Sequence, residues 1–269
     1  MSMSSLNPGP SWGSVARAQF HMLARLQRRD FIILGAIVAA LAGLAVWGLR
    51  SATLDGPSQP GTIPFFVLFT AHLSIVAAFW AIGVWRRDSP EERGYFWALP
   101  VARGPHTLLR VGMGWAFLMA ACLGVLIVGF GLVLQAQTRF DGLEVSLAGW
   151  YVPLATATLA YLLMSVLAVL VDRPVWVVVW SGVACMGLLI VATIFQLDMI
   201  ADLWDQVVGS LLGALVGPIG VSVQRGAIES TPSVAPSGAF AEWLRNYLVW
   251  SVVGAAALVL AAFRHGDAR

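Results

Sequence analysis

Lysine is absent from this chain: all 16 of its basic residues are arginine. A Walker A phosphate loop needs a lysine directly after its glycines, so the sequence holds no standard one. Charge of either sign is scarce, at 11% of residues against about 25% in an average soluble domain. Hydrophobic residues fill the space at 59%. Two cysteines, Cys122 and Cys185, both lie inside apolar runs and read as small buried hydrophobes rather than a disulfide or a metal pair. The four histidines are scattered without metal-ligand spacing. No H-E-x-x-H, no Ser/His pair on matching segments and no Asp-rich inner loop is present, which argues against a membrane-embedded hydrolase or transferase. No basic, aromatic-interleaved patch points to nucleic acid.

What remains is an all-α integral membrane protein. Six segments meet the length of about 20 apolar residues that a bilayer requires: 31–49, 63–85, 111–134, 150–171, 175–197 and 247–263. Trp47, Trp85, Trp150 and Trp176 fall near the ends of these segments, where interfacial tryptophans belong. With the N-terminus inside, only Arg50, Arg139, Arg225 and Arg245 lie on the outer side, and the other 12 of the 16 arginines lie on the inner side. The positive-inside rule therefore predicts both termini in the cytoplasm. RRDFI at 28–32 has the arginine pair of an export signal, but no cleavage site follows and five further apolar segments come after it.

Residues 1–13 are rich in Ser, Pro and Gly and read as disordered. Over 14–30 a helical projection puts Arg17, His21, Arg25, Arg28 and Arg29 on one arc and Val15, Phe20, Met22, Leu23 and Leu26 on the other. That pattern predicts an amphipathic interfacial helix with its arginines on anionic membrane lipids. The membrane domain runs from 31 to 263, and 264–269 forms a short cytoplasmic tail. Before the last span, 203–224 is apolar but short and broken by Gly217, Pro218 and Gly220. It is expected as an extracytoplasmic re-entrant hairpin, and the four-residue repeat of Gly209, Gly213 and Gly217 offers a flat face for packing against a second copy.

Inside the spans so drawn, His72 is the one ionisable side chain noted. A neutral imidazole bonded between helices is the plainer reading, and a place on a translocation path the functional one. Asp198, Asp202 and Asp205 share a helical face, which reads as a solvated acidic stripe.

The cytoplasmic loop 86–110 carries the most local information. Ser89 is an N-cap, Pro90 takes the first helical position, and Glu92 completes a capping box. Pro100 disfavours helix at Leu99, so the element spans about three turns. Tyr95, Phe96, Trp97 and Leu99 give it more apolar surface than a free helix carries. Tyr95, Phe96 and Leu99 suit buried anchors, with Glu91, Glu92 and Arg93 as a charged rim.

This loop, E-R-G…L-x-P-V-A-R in residues Glu92, Arg93, Gly94, Leu99, Pro100, Val101, Ala102 and Arg103, resembles that of permease subunits of the ABC-2 exporter family. The family's usual lysine after the loop is replaced by Arg110, expected at a phosphate-region or headgroup contact. The resemblance implies that the loop is a coupling helix docking on a separate ABC ATPase subunit through Glu91, Glu92, Arg93, Gly94, Tyr95, Phe96, Leu99, Pro100 and Arg103. It implies a non-enzymatic permease with ATP and Mg on the partner chain and no cofactor in this one. It further implies pairing with a second copy or a homologous permease, and a multi-pass place in a bacterial cytoplasmic (inner) membrane. The solute would be amphipathic or lipid-like. The same design would also serve a membrane component that passes ATPase-driven motion to an extracytoplasmic assembly without moving a solute.

Overall fold

The computed structural model describes residues 13–25, 62–86, 103–137, 148–171, 173–196, 198–217 and 237–267, with single positions between 28 and 36. Among these residues there is helix and no strand. Residues 13–25 form α1. The other elements are α2 (Thr62–Arg86), α3 (Arg103–Gln137), α4 (Ala148–Leu170), α5 (Pro174–Ile194), α6 (Asp198–Trp204), α7 (Ser210–Val216) and α8 (Ser237–Asp267). A π-helical turn, Asp205–Gly209, joins α6 to α7 without a break in the helical path.

Four helices carry a run long and apolar enough to cross a membrane: Gly104–Val128, Tyr151–Leu170, Pro174–Ala192 and Phe240–Arg264. This is the architecture of a multi-pass membrane protein. A shorter apolar run, Leu73–Trp85, lies within the 25-residue α2. The expected first span, 31–49, falls almost wholly outside the described residues. Two spans start earlier than their hydropathy suggested. The third begins at Gly104 instead of Val111, and the last at Phe240 instead of Tyr247. Helix continuity explains both shifts, because no breaker separates the polar turn from the apolar run that follows.

The core lies where α2, α3 and α4 meet. On α2, Leu73, Ala77, Trp80, Ala81 and Val84 form one buried stripe at helical spacing. On α3 the facing stripe is Val111, Leu118 and Cys122, and on α4 it is Ala157, Ala160 and Tyr161. Leu258 and Ala261 add the C-terminal half of α8. Small residues at the crossings let the backbones approach, as membrane helix packing requires where no hydrophobic force acts between helices. Gly114 marks the tightest point. A Cβ built there would stand 2.4 Å from Tyr161 Oη and 2.8 Å from Val84 Cγ2. In contrast, α5 turns nearly all its side chains away from the protein, with Trp176, Trp180 and Ile190 more than half exposed. Such an apolar surface suits lipid.

The segment before the last span is one helical path from Asp198 to Val216, and Gly217 ends it. Gly217 adopts φ 99° and ψ 176°, a conformation essentially restricted to glycine, while its N–H bonds the Gly213 carbonyl at 3.2 Å. The last carbonyls of a helix have no partner within it, and here neighbouring side chains supply them. Trp243 Nε1 donates to Ala214 O at 3.2 Å, and Ser74 Oγ donates to Leu215 O at 3.2 Å. Trp250 Nε1 adds a bond to Ser210 Oγ at 3.1 Å. Residues 218–224 of the expected hairpin lie outside the described residues.

The packing at Gly114 generates a direct expectation. Gly114→Ala forces Tyr161 and Val84 apart and should lower stability by about 1–3 kcal/mol, read as a drop in the thermal midpoint in detergent. An unchanged midpoint would show that the three helices are not held at this point.

Candidate functional site

The loop singled out by sequence stands between the C-terminus of α2 and the N-terminus of α3, so its base is the place where structure bears on function. Glu91, Glu92, Arg93, Gly94, Tyr95, Phe96, Leu99 and Pro100 lie outside the described residues, and Arg103 is the first residue of α3. His72 belongs to α2, eleventh from its start, and is not brought to this base.

Arg110 dominates the base. It is the eighth residue of α3, lies within the apolar span Gly104–Val128, and is only 3% exposed. Its Nη2 donates to Val84 O at 2.5 Å, and its guanidinium carbon lies 4.8 Å from the centre of the Trp85 ring. Val84 is the third residue from the end of α2. Its carbonyl is among the four that a helix leaves unpaired, and it also sits at the negative end of the helix dipole. Arg110 therefore caps α2 from a different helix. The side chain expected at lipid headgroups is instead held inside the protein. The reason is geometric: the span starts one and a half turns before Arg110, so the arginine faces helix ends rather than water. His72 is accordingly not the lone ionisable side chain of the spans, since His106 and Arg110 also lie in one.

Two further bonds converge on the same stretch of α3. Trp80 Nε1 donates to Gly114 O at 3.1 Å, and Tyr161 Oη donates to Val111 O at 2.8 Å. Each uses the second lone pair of a carbonyl already engaged within the helix. Higher on the same pair of helices, Trp115 Nε1 donates to Thr158 Oγ1 at 3.2 Å. Thus α2, α3 and α4 are tied together within about three turns of the start of α3. The C-terminal end of α8 reaches this region as well, with Phe263 Cδ1 3.0 Å from where a side chain on Gly104 would begin.

The N-terminal helix closes the site. His106, Arg110, Met113 and Phe117 are spaced i, i+4, i+7 and i+11 and form one stripe of α3. Gln19, 1% exposed, donates its amide to His106 Nε2. Phe20 stacks on Phe117 with ring centres 5.1 Å apart and planes at 23°. Leu23, 1% exposed, belongs to the central core, and Met22 packs against it. Leu23 and Met22 of the apolar arc of α1 are thus spent on protein, while Phe20 stays 46% exposed. The arginine arc expected from sequence does face outward, with Arg17, Arg25, Arg28 and Arg29 exposed. Gln19 sits in the middle of the apolar arc, and its polarity hid it from a reading based on hydrophobic spacing.

Of the three glycines offered for pairing with a second copy, two serve the chain itself. A Cβ on Gly213 would stand 3.9 Å from Asn246 Nδ2, and Gly217 is the buried helix stop. Gly209 is open. Among the described residues no group of three His, Cys, Asp or Glu side chains could hold a metal. The chemistry of the site is a set of fixed dipoles and one buried cation. Such an arrangement can bind helices to one another and pass on movement.

No protein family, curated protein or solved structure matches the chain.

The docking of α1 can be separated into packing and hydrogen bonding. Leu23→Ala removes about 2–5 kcal/mol of packing and should speed tryptic cleavage at Arg17 and Arg25 by about tenfold or more. Gln19→Leu takes away only one partner of the bond to His106 and should cost about 1–3 kcal/mol, whereas replacing both Gln19 and His106 by apolar residues should be closer to neutral. Equal protection of the Leu23→Ala and unaltered chains would detach α1 from the core account.

Proposed function

We propose that this chain is the transmembrane permease subunit of an ATP-driven exporter of the ABC-2 type, working with a separate ABC ATPase subunit docked on the 86–110 loop. What supports the reading is the combination of a loop whose sequence predicts a capped, aromatic-rich helix with a base whose two ends are pinned together through Arg110 and Val84. A loop built to receive force needs such a footing. If its ends moved independently, a push on the loop would be absorbed locally instead of reaching the spans.

The nucleotide chemistry belongs to the partner, since the chain has no lysine and hence no standard phosphate loop. ATP and Mg are bound there, and binding draws two ATPases together beneath two permease copies, identical or homologous. Gly209 is the member of the glycine line that remains open to such a second copy. The proposed location is the bacterial cytoplasmic membrane, with both termini and the loop inside, in keeping with the arginine asymmetry. The segment Asp198–Val216, held on α2 and α8 through the carbonyls at its C-terminal end, serves in this reading as the outer re-entrant element. An amphipathic or lipid-like solute fits a bundle whose lipid-facing and inner surfaces are mostly apolar. The same machinery with no solute path would drive an extracytoplasmic assembly step, and a transport assay separates the two.

The test lies at the aromatic face of the loop. Phe96→Asp should abolish co-purification of the ATPase in mild detergent while the permease still inserts and keeps its thermal midpoint, because the change lies outside the spans. A full complement of bound ATPase in that variant, with normal ATP-dependent activity, would refute the docking assignment.

A further inference from the structure

We propose that Arg110 is the positioning residue through which movement of the 86–110 loop enters the helix bundle. The inference rests on the docking role just proposed for that loop and adds to it the path taken by the force.

Three features of the site support this assignment. The first is that the Arg110 bond is not a side-chain decoration but a helix cap supplied across helices. Val84 O needs a donor because α2 ends there, and Arg110 Nη2 meets it at 2.5 Å. The positive guanidinium also complements the negative end of the α2 dipole. The guanidinium carbon also lies 4.8 Å from the centre of the Trp85 ring, a cation–π contact with the last turn of α2. A single arginine therefore fixes both the position and the orientation of the last turn of α2.

The second feature is where the other bonds go. Val111, the next residue, accepts from Tyr161 of α4, and Gly114, one turn on, accepts from Trp80 of α2. Any displacement of α3 at Arg110 must therefore carry α2 and α4 with it or break these bonds. The third is the packing. Gly114 allows Tyr161 and Val84 to close on α3 without a gap, so the unit is dense as well as bonded. Densely packed elements switch between discrete arrangements rather than deforming gradually. The short distance from Arg103 to Arg110, about two turns of helix, makes this knot the first rigid point that a push on the loop meets.

The experiment has one arm on the isolated chain and one on its complex with the ATPase. In the isolated chain, Arg110→Met should speed amide hydrogen exchange about tenfold over residues 80–86 and 103–114, while Arg110→Lys, which keeps a donor, should not. In the complex, nitroxides placed by Ile75→Cys on α2 and Val252→Cys on α8, both exposed positions, report the change of distance on adding ATP and vanadate. Cys185→Ser removes the competing thiol, and Cys122 is buried. With Arg110→Met the ATPase should remain bound in full, but the distance change should fall by more than half. Arg110→Lys should restore most of it. If Arg110→Met does not insert, Arg110→Leu, which likewise has no donor, takes its place with the same expectations.

Unchanged exchange in the isolated chain would overturn the tie itself and leave the docking reading intact. Faster exchange with a full ATP-driven distance change would reduce Arg110 to a stabilising residue and overturn its positioning role. An unaltered complex without bound ATPase, or without any response to ATP, would overturn the docking reading and this inference together.

Discussion

In an apolar solvent a helix end is a liability, because its last carbonyls have no partner in the helix and no water to replace one. Leaving such a group unmet costs about 1–3 kcal/mol in a protein interior and several in hydrocarbon. Much of this structure can be read as the answer to that constraint. Arg110 meets the carbonyl of Val84 at the end of α2. Trp243 and Ser74 meet those of Ala214 and Leu215 at the end of α7. In each case the donor comes from a different helix, so satisfying a helix end also fastens two helices. Polar side chains that look isolated in the sequence are, in space, fasteners at chain reversals.

The fastening has a consequence for mechanics. Hydrogen bonds and small residues concentrate where α2, α3 and α4 cross near the end of α2 and the start of α3, and α1 is clamped to the same stretch by Gln19, Phe20 and Leu23. Farther out, α5 has little contact with the rest and presents its apolar surface to the surroundings. The bundle is therefore stiff on the side of the loop and looser at α5. A force arriving at the loop would be delivered to three spans at once. That arrangement suits the proposed role of a subunit driven from outside its own chain.

Four of the six expected spans have a counterpart among the described residues, because length and apolarity decide them, and α4 matches its expectation to within a residue at either end. The basic arc of α1 was equally plain, since charge cannot be buried cheaply. What the sequence did not show was the destination of the other arc. Gln19 breaks the apolar pattern, and only the position of His106 on α3 makes sense of it. Arg110 was assigned to the loop because a charge beside an apolar run usually marks the membrane surface. Nothing in one helix reveals that the open carbonyl of another lies 2.5 Å away. The glycine repeat is open to two readings. Spacing shows that a face is flat, but not whether Asn246 of the same chain or a second copy covers it. The capping box expected at Ser89 lies outside the described residues.

The central claim is that a separate ATPase sits on the loop between α2 and α3. Its most direct test is site-specific photocrosslinking in intact membranes, with benzoylphenylalanine placed at Tyr95. The account predicts a covalent adduct to a subunit that carries its own lysine-containing phosphate loop, identified by mass spectrometry. It further predicts that the adduct forms in high yield and is lost when Phe96→Asp is introduced on the same chain. Adducts to lipid or to this chain alone, in cells where the protein is functional, would contradict it.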